Sequence, residues 1–325
     1  MVDGKISFGI IGTNFISDWF VLATKRTECA TVSAVYSRTK ERGEAFAKSN
    51  SIERVYTSLS DMLSDETIDA VYVASPTFLH KEHTISALRA GKHVLCEKMI
   101  AIDDDELSEM IRAAKKAGKV LLEAMRPDFD GAVEVIRAEL DKIGPVRRAS
   151  FDYCQYSSRY DKFKSGEVLN AFDPKMKNSA LADIGIYPLH TCINLFGEPG
   201  SVAARSIFLE NGFEAAGSVV LSYPDMLATV NYSKITDSIS PSVIEGEHGT
   251  IFIDRINGTD NITVTLRSGE SYKLDYKASS QNMHFEVIAF CDMIKGKASN
   301  EYYLGVSEKT MMCVEKIYTS AGIRF

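Results

Sequence analysis

The sequence predicts two domains. Residues 1–123 form an α/β domain, a doubly wound parallel sheet. Residues 124–325 form an α+β domain, a large and mostly antiparallel open sheet flanked by helices. Three observations carry this. Short, nearly continuous apolar runs alternate with helical patterns up to about residue 123, as strands do when helices cover both faces of a sheet. From Val202 to Leu274 the pattern becomes strand, turn, strand. The length of 325 residues is that of about two domains.

The elements follow in order. Strands are expected at 5–11 (KISFGII), 32–36, 69–75, 93–96 and 119–123. Between the last two, Leu107, Met110, Ile111 and Ala114 recur at helical spacing within Asp104–Lys116. Asp103, Asp104 and Asp105 favour the start of that helix and Gly118 its end. A shorter helix, Thr84–Ala90, closes at Gly91. Beyond residue 123 come a helix over 130–142, a strand over 150–156 and an irregular polar stretch over 157–180. A helix within Ile184–Phe196 must start late or kink because of Pro188. Seven strands follow, at 202–208, 216–223, 226–232, 243–247, 250–253, 262–266 and 271–274. Turns such as Asn211-Gly212 and Asn257-Gly258 separate them. Two helices, 282–295 and 305–321, close the chain.

Composition excludes several classes. Hydrophobic residues make up 45% and charged residues 25%, values of a globular chain rather than a disordered one. The longest run without a charge, Ile184–Gly197, is 14 residues, short of the roughly 18 that span a bilayer. No membrane partner is expected. The net charge of −7, without a basic cluster, argues against nucleic acid. Six cysteines stand singly with no CxxC pair, so neither a metal site nor a disulfide framework is signalled. Free thiols, and no cleavable apolar stretch in Met1–Gly12, predict a cytoplasmic protein.

The first strand runs into Gly12-Thr13-Asn14-Phe15-Ile16-Ser17. A dinucleotide loop needs a tight turn, a close backbone approach and a small residue where helix meets strand. Gly12 supplies the turn. Asn14 stands at the second glycine's place, as the side chain most tolerant of positive φ. Ser17 is the small residue. An ordinary strand–helix turn is the competing reading. The second strand ends at Ser37-Arg38, with no acid for a ribose hydroxyl. A hydroxyl and a planar cation suit a 2′-phosphate instead, and a solvated basic loop is the alternative. Ser75-Pro76-Thr77-Phe78-Leu79-His80 and Glu97-Lys98 follow two further strands. Ligands lie at such carboxyl ends, although Glu97-Lys98 also reads as an exposed ion pair.

These residues resemble the glucose–fructose oxidoreductase / inositol dehydrogenase (Gfo/Idh/MocA) family over essentially the whole chain. The resemblance rests on the glycine loop, SPTFLH, AGKHVLCEK, the run Ala182–His190 and the two closing helices. The family's Glu-Lys-Pro reads Glu97-Lys98-Met99 here, and Tyr187 stands where many members carry His. The latter resembles the branch of glucose–fructose oxidoreductase and the dimeric dihydrodiol dehydrogenases, which use NADP. The resemblance implies a Rossmann domain that holds NADP, with NAD possible, through Gly12, Thr13, Asn14, Phe15, Ile16, Ser37, Arg38, Ser75, Pro76, Leu79, His80, Glu97 and Lys98. It implies reversible hydride transfer to or from a secondary alcohol of a sugar, polyol or diol. Lys98 and Tyr187 would be the catalytic pair, with Asp183 and His190 beside them. Asp183 has a second reading as a helix N-cap, and His190 as a satisfied buried histidine. Arg126 and Tyr160 are further substrate-side candidates. A non-catalytic dinucleotide sensor and a cofactor-assisted glycosidase are the competing functions.

Two predictions follow from the sequence. Ser37-Arg38 should make NADPH bind more tightly than NADH, and Arg38→Ala should lose about 1.5–3 kcal/mol of the difference. Equal affinities in parallel titrations would overturn this. Along Met226–Tyr232, Leu227, Thr229 and Asn231 share one face and Met226, Ala228, Val230 and Tyr232 the other. Helices cover only one side of an open sheet, and a wide apolar face is seldom left in water. A homodimer or homotetramer through that sheet is expected, and light scattering reporting a monomer at micromolar concentration would refute it.

Overall fold

The computed structural model describes residues 4–258, 261–276 and 282–325. Asp3, part of the N-terminal stretch considered above, lies outside them. Two compact units are present. One takes the chain up to Arg126 together with the segment ending at Gly305, and the other takes Pro127–Ser280 and Val306–Phe325. The single boundary expected after residue 123 gives way to a chain that leaves the first unit and returns to it. The helix expected at 282–295 therefore groups with the first unit rather than the second.

The first unit contains β1 (Ile6–Ile11), α1 (Phe15–Lys25), β2 (Ala30–Tyr36), α2 (Lys40–Asn50), β3 (Arg54–Tyr56), α3 (Leu59–Ser64), β4 (Ala70–Val73), α4 (His80–Arg89), β5 (His93–Glu97), α5 (Asp104–Ala117) and β6 (Leu121–Ala124). The strands lie in the order β3-β2-β1-β4-β5-β6, and every neighbouring pair is parallel. The order reverses between β1 and β4. In a doubly wound sheet that point opens the ligand crevice at the carboxyl ends of the strands. Asp103 caps α5 by accepting from the Glu106 amide, and Gly118 ends it at φ 62°. In the core, Phe20 stacks on Tyr72 at 3.9 Å between ring centroids. β3 and α3 have no counterpart in the sequence reading. Three residues, Arg-Val-Tyr, are too few to show a period.

The second unit contains α6 (Ala132–Glu139), β7 (Val146–Cys154), α7 (Tyr160–Lys164), α8 (Ile186–Phe196), β8 (Ser201–Phe208), β9 (Glu214–Ser222), β10 (Leu227–Ser233), β11 (Ser242–Gly246), β12 (Gly249–Ile253), β13 (Ile262–Leu266) and β14 (Ser271–Lys273). Its sheet has the order β14-β13-β12-β11-β7-β10-β9-β8. β7 and β10 pair in parallel and the remaining neighbours are antiparallel. Along β10, Ala228, Val230 and Tyr232 are buried and Leu227 is exposed, the facing expected from the alternation. Helices α9 (Met283–Ile294) and α10 (Glu301–Ala321) complete the chain. Among the described residues no helix is long and apolar enough to cross a membrane.

His93 opens β5, and its Nδ1 accepts the Val120 amide at 3.0 Å. Burial, then the Lys119 ammonium, pushes its pKa down from 6.5 to about 4. Between those two values the unfolded chain holds a proton that the folded chain does not. Stability is therefore lost as pH falls through that window. His93→Asn keeps an acceptor there and removes the titration. The melting temperature of the variant should fall less between pH 7 and pH 4 than that of the parent; equal slopes would refute the assignment.

Candidate active site

The loop after β1 turns at Gly12, with φ +112°. A Cβ there would lie 2.6 Å from the Ala74 carbonyl oxygen, so only glycine fits. Asn14 departs from the expectation of positive φ. It is extended, at φ −95°, and caps α1. Its side-chain oxygen accepts from the Ile16 and Ser17 amides, and its Nδ2 donates to the Ala74 carbonyl at 2.8 Å. Ser17 is fully buried and its hydroxyl donates to the Gly12 carbonyl. Phe15 is exposed and Ile16 half-buried at the helix start, where anions bind.

Ser37 is buried, and its amide donates to the Tyr56 carbonyl at 3.0 Å. Arg38 is exposed beyond it. An open cleft of about 530 Å³ is lined by Thr13, Asp18, Arg42, Ala45, Phe46 and Ser49. Arg42 escaped the sequence reading, although it stands one helical turn past Arg38. The glycine turn, the helix start and these cations fit a dinucleotide.

Beyond β4, Ser75 and Leu79 are half-buried and Pro76 is exposed. His80 differs from its expected role at the cofactor. It is 1% exposed, with Nδ1 2.9 Å from the Met99 carbonyl and Nε2 2.8 Å from the Ser75 carbonyl. Burial outweighs those carbonyls and pushes its pKa down to about 4. The ring ties together the residues that follow β4 and β5. Glu97 is also withdrawn. It is buried, accepts from the Tyr72 hydroxyl and the Lys98 amide, and burial raises its pKa. That burial also excludes the exposed Glu–Lys pair. Lys98 is half-buried at the end of β5, before a cis peptide bond to Met99. Arg126 donates to Asn282 at 3.3 Å and lies 5.8 Å from the Trp19 ring centroid.

In the second unit, Asp183, Tyr187 and His190 share one helical run. A π-helical turn, Leu181–Gly185, leads into α8, where Pro188 occupies the tolerated first turn. Glu214, 2% exposed, holds the start of this run by accepting the Leu181 amide at 3.0 Å. Tyr187 is 7% exposed, its ring edge-on to Tyr153 at 6.0 Å.

Asp183 lies within the turn, so the N-cap reading fails. Its carboxylate pairs with Lys234 at 2.8 Å. Lys234 is itself buried, donates to the Ala171 carbonyl at 2.8 Å and faces the rings of Phe172 and Phe213. His190 has no exposed surface. Its Nε2 is 2.8 Å from Asp128 and its Nδ1 3.4 Å from the Thr310 hydroxyl. His190 is thus a buried histidine with a partner at each ring nitrogen. Asn194 donates to the other Asp128 oxygen at 2.7 Å. Tyr160 packs into an aromatic cluster with Phe163 and Phe172.

Residues 6–125 match an oxidoreductase family with an NAD-binding Rossmann fold, and residues 134–252 match the GFO/IDH/MocA C-terminal domain. The chain belongs to the Gfo/Idh/MocA oxidoreductase family. It is similar to a scyllo-inositol 2-dehydrogenase (NADP(+)) of Bacillus subtilis, 42% identical over 89% of this chain and 88% of that one. It is 30% identical to a trans-1,2-dihydrobenzene-1,2-diol dehydrogenase of Xenopus laevis over 86% and 83% of the two chains. A 3-ketoreductase of Actinomadura kijaniata, solved with NADP and TDP-benzene, shares the fold. Its TM-score is 0.86 at 21% identity, covering 98% of each chain. As a member of this family of sugar and polyol oxidoreductases, the protein is an NAD(P)-dependent dehydrogenase or reductase acting on CH–OH groups. That sets aside the non-catalytic sensor.

Proposed function

We propose that this enzyme moves hydride reversibly between NADP and a secondary alcohol carbon of a sugar, polyol or diol, with Lys98 and Tyr187 as its acid–base pair. The observation that carries the reading is the position of Lys98. It ends the strand next to β4, near the reversal of strand order, with Glu97 accepting its amide. Ser37 and Arg38, with Arg42 at the neighbouring cleft, support NADP over NAD. The dinucleotide, when bound, takes up or supplies the hydride.

The remaining chemistry falls to side chains. A tyrosine near its ordinary pKa of about 10 is a poor base at neutral pH. An ammonium beside it favours the phenolate, so Lys98 equips Tyr187 to take the hydroxyl proton. The same ammonium hydrogen-bonds the substrate oxygen as charge develops. Asp183, fixed by Lys234, orients substrate hydroxyls one helical turn before Tyr187. The similarity to a scyllo-inositol dehydrogenase makes inositols the first class to screen. The open face of the second sheet, with Val220 38%, Leu227 51% and Phe252 45% exposed, is the proposed homodimer surface. The cytoplasm remains the proposed setting.

The test is turnover with the best substrate of an inositol, sugar and diol screen, read at the nicotinamide absorbance. Tyr187→Phe and Lys98→Met should each lower it by about 10²-fold or more, with NADPH binding retained. The double variant should lose little beyond the worse single one. Normal turnover in Tyr187→Phe would remove the tyrosine from the mechanism.

A further inference from the structure

Five of the six cysteines are kept as thiols by their surroundings. Burial pushes Cys154, Cys192 and Cys313 up to about 12 and Cys96 well above its ordinary value. Cys291 is also pushed up, by its hydrogen bond to Cys29 and by burial. Cys29 goes the other way, to about 6. The hydrogen bond from Cys291 is the largest cause and outweighs burial; the Thr27 side chain and the Lys295 ammonium add to it. Exposure alone does not separate these sites. Cys154 is half-buried like Cys29, but besides burial it faces the carboxylates of Asp152 and Asp237.

The two thiols belong to one unit and sit at a fixed junction. Cys29 immediately precedes β2, and its carbonyl accepts from the Ile6 amide at 2.8 Å. The same carbonyl accepts from the Cys291 thiol at 3.6 Å. Cys291 lies on α9 with no exposed surface, whereas Cys29 is reachable from solvent. A half-buried cysteine thus stands beside a fully buried one, whose thiol reaches its main chain. A disulfide between them requires the two sulfurs to approach to roughly 2.05 Å.

We propose that Cys29 and Cys291 form an oxidation site for hydroperoxides, in which Cys29 is attacked first and Cys291 resolves it into a reversible intramolecular disulfide. In the first step the Cys29 sulfur forms a bond to the peroxide's terminal oxygen. The O–O bond breaks, and water or an alcohol leaves once protonated. Sulfur loses two electrons and the peroxide gains them, leaving a sulfenic acid. In the second step the Cys291 sulfur attacks the Cys29 sulfur. The S–S bond forms, the S–O bond breaks, and water leaves with the Cys291 proton. A dithiol reductant reverses the result by exchange. The bridge joins residues 262 positions apart and fastens α9 to the residue before β2. It does not depend on the reading of the catalytic pair.

The test uses the whole chain. The protein is treated at pH 7.5 with a few equivalents of hydrogen peroxide, and free thiols are then blocked with N-ethylmaleimide under denaturing conditions. Non-reducing peptide mass spectrometry should find Cys29 linked to Cys291, with the other four cysteines blocked and the link lost after dithiothreitol. Cys29 should react at least about 10-fold faster than Cys154. In Cys291→Ala, oxidation should stop at a Cys29 sulfenic acid that dimedone captures; in Cys29→Ser, Cys291 should stay reduced. Cys29 left unmodified in the unmutated protein, or oxidised past sulfenic acid with Cys291 still free, would overturn the proposal. So would a link to any other cysteine.

Discussion

The backbone of Gly12 runs so close to the Ala74 carbonyl that no side chain fits between them, and the working end of the nucleotide-binding unit is arranged around that approach. It brings the loop after β1 against the end of β4. Asn14 then reaches the same carbonyl with its amide while its oxygen caps α1. His80 links the Ser75 and Met99 carbonyls. Three adjacent strand ends are thus fixed by side chains bonded to main-chain carbonyls. Lys98 inherits its position from this lattice, because it stands next to Met99 and its amide is held by Glu97.

The second unit relies on buried charge. Taking an ion out of water is costly unless a partner and further hydrogen bonds accompany it. Lys234 has Asp183, the Ala171 carbonyl and two aromatic rings. Asp128 has His190 and Asn194. Glu214 has the Leu181 amide and the Ser206 hydroxyl. All three clusters grip the helical run that carries Tyr187. Removing one member leaves another uncompensated, so this run has little freedom to shift.

Periodicity made the long elements legible. The Leu107–Ala114 stripe, the acids before α5 and Gly118 behind it appear as read. The alternation in β10 gave its facing. What stayed hidden depends on distant partners. The ends of β3 and α3 carry no period. The backbone of Asn14 is set by Ala74, sixty residues on. Motif position named His80 and Glu97 but not their burial, which comes from Met99, Ser75 and Tyr72. Nothing local marks Lys234 or Asp128 as partners, whereas Arg42, four residues past Arg38, carried a signal that the sequence reading left unused. The two-part composition of the first unit was invisible, since an apolar helix after residue 282 reads the same whichever core it joins.

That two-part composition has a consequence for synthesis. Phe290 packs on Phe8, at the heart of β1, with ring centroids 5.8 Å apart. A nascent chain makes Phe8 long before Phe290. At ribosomal speeds the interval between Arg126 and Phe290 is roughly ten to thirty seconds. Throughout it, the strand-and-helix layer already built lacks the helix that seals one side, and apolar surface waits uncovered while the other unit emerges. The nucleotide-binding half, begun first, is completed only after most of the other unit has been made. Its vulnerable period on the ribosome is set by the length of Pro127–Ser280, a segment assigned to the other unit.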